Sequence, residues 1–269
     1  MRKKRVKVEK HNTKIAIVFF IFVIAIVLTS LIIKAIAVVR LSIFDGNHRF
    51  TISVSNDKNL EVVSFSPNNH SISILRIEEE NKDPKTVGQF LKIPIDGFVK
   101  ASFLKTHKDV AILMPNIFFN YNNIKTNLNL IDILRLVLVS KTTPLNNIAT
   151  YSISSSLEDQ KVDKIVEKIF KDEEIEKENK SVEIINTTNV MGLGGRLARL
   201  ITNMGGNVIQ VSTKDNLQKE SIILYDGKKN FTTERLSKVL GFRTSETSKQ
   251  SIADITIVIG FDNRDPLSF

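Results

Sequence analysis

One stretch of the chain has the residue types of a phosphate-binding turn. Residues 185–206 read INTTNVMGLGGRLARLITNMGG, an apolar strand followed by a glycine-bearing turn and a helix pattern. Such a turn can direct backbone N–H groups at an anion at the N-terminus of a helix. Whether this turn is a nucleotide site depends on its glycine spacing and on the elements around it.

The glycine spacing disfavours a dinucleotide site, which needs G-x-G-x-x-G and an acidic residue ending the second strand. Residues 192–195 read GLGG, with no third glycine at the required spacing. The stretch NVIQVSTKD ends with Asp215, but an early β-β step is not the order of a doubly wound fold. We interpret the glycines as letting a strand turn tightly into a helix. This structural turn motif consists of Asn186, Thr187, Gly192 and Gly194.

The composition excludes several kinds of site. The chain has no cysteine, and its four histidines (His11, His48, His70 and His107) are isolated from one another, which argues against thiolate and zinc centres. Gly-x-Ser-x-Gly, His-Glu-x-x-His and Walker-type motifs are absent from the sequence. We therefore predict no cofactor and no metal.

The net charge of +9 is concentrated at the N-terminus. Residues 1–14 carry seven Lys or Arg and one Glu, and Lys34 and Arg40 flank the next segment. Residues 41–269 keep 29 basic and 28 acidic residues, a net charge of +1. This distribution does not require a basic face for nucleic acid, and we predict no nucleic-acid partner.

An apolar segment follows the basic cluster. Residues 15–33 contain no charged side chain, close to the roughly 20 residues that span a membrane as a helix. We predict a transmembrane helix over 15–39, with the N-terminus cytoplasmic because cationic flanks stay inside. The alternative is a signal peptide cleaved after Ala37, although Lys34 and the length of the run argue against it. The absence of thiols suits an extracytoplasmic domain.

The rest of the chain predicts a mixed α/β (α+β) fold. Residues 50–66 alternate as strands, the Ser-Pro-Asn-Asn cluster at 66–69 predicts a hairpin turn, and a short helix precedes Pro94. The two apolar runs AILMPNIFFNY and LNLIDILRLVLV could be a strand and a helix respectively, but their patterns do not separate the two structures. Ser155 and Glu158 have capping-box spacing before an amphipathic helix. A charged run at 171–180 is interpreted as a linker before a compact βαββαβ unit.

This last unit resembles the C-terminal domain of the LytR–CpsA–Psr proteins of the bacterial envelope. The resemblance lies in VEIINTTNVMGLGG, in the helix up to Met204 and in ADITIVIGFD, and it covers residues 181–262. Upstream, LEVVSFSPNNHSISILRI and LKIPIDGFVKASF are similar to segments of the family's catalytic domain. The resemblance implies that the upstream domain would transfer envelope polymers from a polyprenyl-pyrophosphate lipid. In that family, arginines hold the pyrophosphate and acidic residues hold a magnesium ion.

The resemblance implies one candidate pyrophosphate contact, Arg76, which matches the arginine of the family's first motif. The acidic residue after it is replaced by Ile77, and between 104 and 157 the only arginine is Arg135. Catalysis of pyrophosphate displacement is mostly charge neutralisation by preorganised cations. The missing acidic residue and the missing arginines should therefore remove most of the rate. Asp96, in IPIDGF, is interpreted as a turn or capping residue, and the basic group Lys105, His107 and Lys108 as solvent-facing.

The sequence thus predicts a single-pass extracytoplasmic envelope protein that binds a cell-wall polymer or another envelope protein without catalysis of its own. The alternative is a divergent transferase acting on a polyprenyl-pyrophosphate-linked polymer, with Mg²⁺ required only in that case. The predicted organisation is a basic cytoplasmic tail (1–14), a transmembrane helix (15–39), a degenerate catalytic-type domain (45–170), a charged linker (171–180), a C-terminal domain (181–262) and a tail (263–269).

Overall fold

The computed structural model describes residues 13–56, 59–78, 87–104, 109–154, 159–215, 217–248 and 251–263. It contains two compact units, Met1–Ser42 and Ile43–Phe269. Several of the predictions concern residues outside the described ranges, namely most of the basic tail, the group at 105–108, the capping-box pair Ser155 and Glu158, and the segment 264–269.

The first unit contains a single long helix among its described residues, α1 (Thr13–Arg40). Its stretch Ile15–Arg40 is long and apolar enough to cross a membrane, and its side chains are exposed. At 1.5 Å per residue, 26 helical residues extend about 39 Å, more than the ~30 Å hydrocarbon core of a bilayer. The predicted span therefore lies within one continuous helix.

The second unit begins with a six-stranded mixed sheet in the order β5-β4-β1-β2-β3-β6. The neighbours β1-β2 and β2-β3 are antiparallel, while β1-β4 and β3-β6 are parallel. The predicted hairpin is confirmed: a short 3₁₀ turn at Pro67–Asn69 joins β2 to β3, and His70 takes the left-handed conformation after it. The strands are β1 (Phe50–Ser55), β2 (Leu60–Ser66), β3 (Ser71–Glu78), β4 (Gly97–Lys100), β5 (Lys125–Thr126) and β6 (Ile148–Ser154).

Apolar cores lie on both faces of this sheet. The residues Ile52, Val54 and Val63 point into a core shared with α3 and α4, whereas Leu60 and Val62 point into a core shared with α2 and α5. Strands β1 and β2 are buried on both faces because their alternating side chains meet helices on either side. The four helices are α2 (Val87–Leu91), α3 (Val110–Phe119), α4 (Leu130–Thr142) and α5 (Asp159–Phe170).

Helix α3 decides between strand and helix for AILMPNIFFNY, whose pattern left both open. The Asp109 side chain accepts a hydrogen bond from the Ala111 N–H (2.8 Å) and caps the helix, and Leu113, Met114 and Ile117 are buried at helical spacing. A short apolar run of this kind has no period that separates a buried helix from a buried strand. Pro115, which lies inside the helix, also lowers the helix propensity of the run.

Residues 171–180, predicted as a charged linker, contain a short helix that packs against the fold. They contain α6 (Glu173–Glu178), which is capped by the Asp172 side chain on the Glu174 N–H (3.1 Å). Ile175 is 2% exposed and belongs to the core of the following sheet. The Asp172 N–H donates to the carbonyl of Met204 (2.8 Å). The segment is therefore tied to the residues that follow it.

The second sheet has five strands in the order β10-β9-β11-β7-β8. Leu193, Leu197 and Leu200 lie on the buried face of α7, as predicted from their spacing. One edge strand, β10, adds to the predicted βαββαβ order, and the mixed α/β fold class is confirmed. The elements are β7 (Ser181–Asn186), α7 (Leu193–Asn203), β8 (Asn207–Thr213), β9 (Ile222–Tyr225), α8 (Phe231–Leu240), β10 (Arg243–Glu246) and β11 (Ile255–Ile259).

Candidate functional site

The polar side chains of the turn after β7 are bonded within the fold. Thr187 donates to the Ile259 carbonyl through its N–H (3.1 Å) and its Oγ1 (2.7 Å). The Oδ1 atom of Asn186 accepts from the N–H (3.0 Å) and Oγ1 (2.7 Å) of Thr188. The Asn186 Nδ2 donates to the Val190 carbonyl (3.0 Å). These bonds join the turn to β11 and to itself.

The two glycines of the turn motif have backbone roles. Gly192 has a φ of +73° at the start of α7, a left-handed conformation that favours glycine. A Cβ on Gly194 would lie 2.9 Å from the Val211 Cγ1, so this glycine lets α7 pack closely on β8. The backbone conformation of Gly192 and the close packing at Gly194 both support the interpretation of the turn as structural.

The terminal motif ADITIVIGFD also serves the fold. The Oδ2 atom of Asp254 accepts from the N–H (2.9 Å) and Oγ (2.7 Å) of Ser181 at the start of β7. The Oδ1 atom of Asp262 likewise accepts from the N–H (2.8 Å) and Oγ (2.7 Å) of Ser221 before β9. The two hydrogen bonds that Ser181 donates to Asp254 lower the pKa of that aspartate. The two aspartates therefore tie both ends of β11 to its neighbouring strands.

Glu178 caps the start of α8 from the neighbouring helix. Its carboxylate accepts from the backbone N–H groups of Phe231 (2.9 Å) and Thr232 (2.7 Å) and from the Thr232 Oγ1 (2.5 Å). Burial acts to raise the pKa of Glu178, but these hydrogen bonds outweigh it and the pKa lies below its ordinary value of 4.5. The carboxylate thus stabilises a helix N-terminus whose donors lack intrahelical partners.

We predict that Glu178→Gln lowers the free energy of unfolding by about 0.5–2 kcal/mol at pH 7, the usual cost of losing a helix cap. Because the folded-state pKa is depressed, the stabilisation is complete above about pH 4.5 and is lost as pH falls through the folded-state pKa. Urea unfolding of parent and variant at several pH values measures this. A difference that is equally large at pH 7 and at pH 2 would contradict a charge-based cap.

The candidate pyrophosphate contact, Arg76, is paired inside the first sheet. Its Nε donates to the Oε1 of Glu61 (2.8 Å), directly opposite it in the β2-β3 register. The Glu61 side chain is 7% exposed and the Arg76 side chain 25% exposed, so the carboxylate neutralises the guanidinium in a largely buried setting. Ile77 is buried, and the Arg135 Nη1 donates to the carbonyl of Phe44.

Asp96 has a different role from the turn residue predicted. Its two carboxylate oxygens accept a bidentate pair from the guanidinium of Arg235 (2.7 and 3.0 Å), and its Oδ2 also accepts from the Thr51 N–H (2.9 Å). Both side chains are less than 10% exposed. Asp96 therefore joins the loop before β4 to β1 and to helix α8 of the second sheet.

A second buried arginine extends this ionic cluster. The Arg49 Nη2 donates to the Glu173 Oε1 (2.5 Å), and its Nη1 to the Ser64 Oγ (2.9 Å). Burial acts to raise the pKa of Glu173, but the charge of Arg49 outweighs it and lowers this pKa. Burial raises the pKa of Asp172, whose Oδ2 lies 4.0 Å from the Arg235 Nε.

Sequence reasoning missed the ionic cluster of Arg49, Asp96, Asp172, Glu173 and Arg235. One signal was present: Arg235 lies beside Leu236 on the face of α8 that the apolar residues define, where an arginine needs a buried partner. No comparable pattern marks Arg49, whose ionic partner Glu173 is 124 residues away in sequence.

A cavity of about 180 Å³ lies beside this cluster. The His48 and Phe231 rings line it and stack on each other with centroids 4.5 Å apart. Arg49 and Arg235 both line the cavity, and both guanidinium groups are already bonded to carboxylates. Within the described ranges, no three His, Cys, Asp or Glu side chains group to hold a metal ion.

Comparison with known proteins finds a family match for the part of the chain that forms the second sheet. Residues 179–262 match the family model described as LytR cell envelope-related transcriptional attenuator. This match confirms the resemblance of the C-terminal elements to the LytR C-terminal domain. The fainter resemblance of residues 50–157 to the catalytic domain is not confirmed, since the match begins after them. No curated protein matches the chain.

Several solved structures are similar to part of the chain. The transcriptional regulator yvhJ from Bacillus subtilis is 16% identical, with a TM-score of 0.32, over 40% of this chain and 83% of that chain. The Lin1025 protein from Listeria innocua is 10% identical, with a TM-score of 0.31, over 40% of this chain and 83% of its own. TagT of B. subtilis is 13% identical, with a TM-score of 0.31, over 45% of this chain and 89% of its own.

Proposed function

We propose that this chain is a single-pass protein of the bacterial cell envelope whose folded part lies outside the cytoplasm. The apolar helix α1 supports a membrane anchor, and the basic cluster before it supports a cytoplasmic N-terminus. The family match over residues 179–262 supports a role related to the envelope. The domain bounds predicted from the sequence remain part of this proposal.

Cysteine labelling in intact cells tests the topology. The chain has no native cysteine, so Ile252→Cys, at a position 63% exposed, and Val8→Cys each introduce a unique thiol. A membrane-impermeant maleimide is expected to label Ile252→Cys in intact cells and Val8→Cys only after permeabilisation. Labelling in the reverse order would contradict the topology. A product shorter by about 37 residues would instead support cleavage after Ala37.

We infer that the protein binds or scaffolds rather than catalyses, and that its targets are a cell-wall polymer or another envelope protein. The observation that carries this proposal is the pairing of Arg76 with Glu61. A cation that must stabilise a developing pyrophosphate charge cannot do so while a buried carboxylate 2.8 Å away neutralises it. The polar residues of the turn motif are likewise bonded within the fold.

Replacing the pair in cells tests the absence of catalysis. Arg76→Met combined with Glu61→Leu removes the guanidinium without leaving a buried carboxylate unpaired, which is often close to neutral for stability. We expect cells that carry this double variant as their only copy to keep their normal content of wall-attached polymer. A fall in that content at an unchanged protein level, as seen by immunoblot, would contradict the scaffold role.

A further inference from the structure

Helix α4 exposes an apolar stripe on its outer side. Leu130, Leu134 and Leu138 are 43%, 39% and 56% exposed, and their spacing of four residues places them on one side of the helix. On the other side, Ile133 and Leu136 are buried in the core of the first sheet. An ordinary surface helix is polar on its outer side, so this second apolar side needs its own explanation.

The same side of α4 ends in a cationic residue. Lys141 is exposed and follows Leu138 by three residues, so it continues the stripe at the C-terminal end of the helix. A lysine can extend its apolar stem along such a surface while its ammonium stays in water or among phosphate groups. Leucines followed by a lysine fit an interface between hydrocarbon and charged headgroups.

Helix α4 is hydrogen-bonded to Phe44, which follows the last residue of the apolar helix α1 by four positions in the sequence. The Phe44 N–H donates to the Oδ1 of Asp132 (2.9 Å), and the Nη1 of Arg135 donates to the Phe44 carbonyl. Helix α1 ends at Arg40, four residues earlier. Four extended residues span at most about 14 Å. When the bilayer surface lies at the end of α1, no more than about 14 Å of chain separates that surface from the residue bonded to α4.

We propose that the stripe of Leu130, Leu134 and Leu138 rests in the interfacial layer of the membrane that α1 enters. The occupant is the lipid surface because only a short connection joins the end of α1 to Phe44, the residue bonded to α4, in every copy of the chain. Helix α4 would then be a second, reversible membrane contact that limits rotation of the folded unit about its anchor. This inference rests on the anchorage proposed above.

Tryptophan fluorescence of the full chain in vesicles tests this contact. The chain has no tryptophan, so Leu134→Trp gives a single reporter, and Ile252→Trp, at another exposed apolar position, is the matched control. The vesicles contain phosphatidylcholine and phosphatidylglycerol with brominated acyl chains. We expect the Leu134→Trp emission to shift to shorter wavelength and to be quenched by bromine, and the Ile252→Trp emission to stay unquenched. Adding Leu130→Gln and Leu138→Gln to Leu134→Trp should reduce the quenching.

The outcomes separate this contact from the anchorage. A chain that floats with the vesicles while Leu134→Trp is quenched no more than Ile252→Trp would overturn the contact alone. A shift to shorter wavelength without bromine quenching, growing with the protein-to-lipid ratio, would show that a second copy covers the stripe and would also overturn it. A chain that fails to float with the vesicles would overturn the anchorage and the contact together.

Discussion

Replacing Arg235 with methionine is expected to lower the free energy of unfolding by about 3–5 kcal/mol, the cost of breaking a buried ion pair by removing one partner. Arg235 is paired with Asp96 at 2.7 and 3.0 Å and lies near Asp172, so its removal leaves the Asp96 carboxylate without its cation and takes one of two nearby cations from Asp172. Burial already raises the pKa of Asp172 despite this cation. Urea unfolding in detergent micelles, followed by circular dichroism, measures the loss.

Two further variants identify the cause of that loss. Arg243 forms an ion pair with Glu220, but its side chain is 70% exposed, and Arg243→Met should cost no more than about 1 kcal/mol. Adding Asp96→Asn to Arg235→Met removes one stranded charge and keeps an acceptor for the Thr51 N–H. We expect the double variant to be more stable than Arg235→Met alone. Equal losses for Arg235→Met and Arg243→Met would show that the cluster does not stabilise the fold.

The second large effect concerns Gly260, the glycine of the terminal motif. A Cβ at this position would lie 2.6 Å from the carbonyl carbon and 2.8 Å from the oxygen of Glu220, and backbone cannot move aside as a side chain can. The Gly260 N–H also donates to the Ser221 Oγ (2.9 Å), and this bond holds the two backbone segments together. We expect Gly260→Ala to destabilise the protein by about 1–3 kcal/mol or more through overpacking.

The matched control for Gly260→Ala is Gly195→Ala. Gly195 lies in helix α7, and a Cβ there would meet no atom within 4 Å. Alanine should therefore stabilise the helix by up to about 1 kcal/mol. The same substitution at the two glycines is thus expected to shift the midpoint of thermal unfolding in opposite directions. A gain in stability from Gly260→Ala would contradict the close approach of its backbone to Glu220.

The second sheet could be predicted from the sequence because its signals are local. The apolar spacing on α7 and the glycine at 241, with a φ of +70° after α8, define helices without reference to the rest of the chain. The elements around the first sheet were harder to predict from the sequence. Helix α3 is apolar on most sides, so its residues show no helical period of apolar and polar positions. The pattern of 171–180 predicts a solvated segment because its charges outnumber its apolar residues, yet Ile175 is buried and Glu173 and Glu178 bond to distant residues.

The candidate site was less predictable than the fold. The role of Asp96 depends on Arg235, which is 139 residues away, and the neutralisation of Arg76 depends on the β2-β3 register that places Glu61 opposite it. Neither pairing leaves a pattern in the local sequence. Motif matching located Arg76, but only the tertiary structure shows that its charge is balanced inside the sheet.

The measurement that most directly tests the proposed absence of catalysis is binding of a long-chain polyprenyl pyrophosphate to the full chain in lipid nanodiscs. The titration compares the parent with the Arg76→Met, Glu61→Leu double variant, each with and without Mg²⁺. We predict no magnesium-dependent binding and indistinguishable curves for the two proteins. Tight binding that requires Mg²⁺ in the parent and is lost in the double variant would contradict the scaffold role and identify Arg76 as the pyrophosphate contact of a transferase.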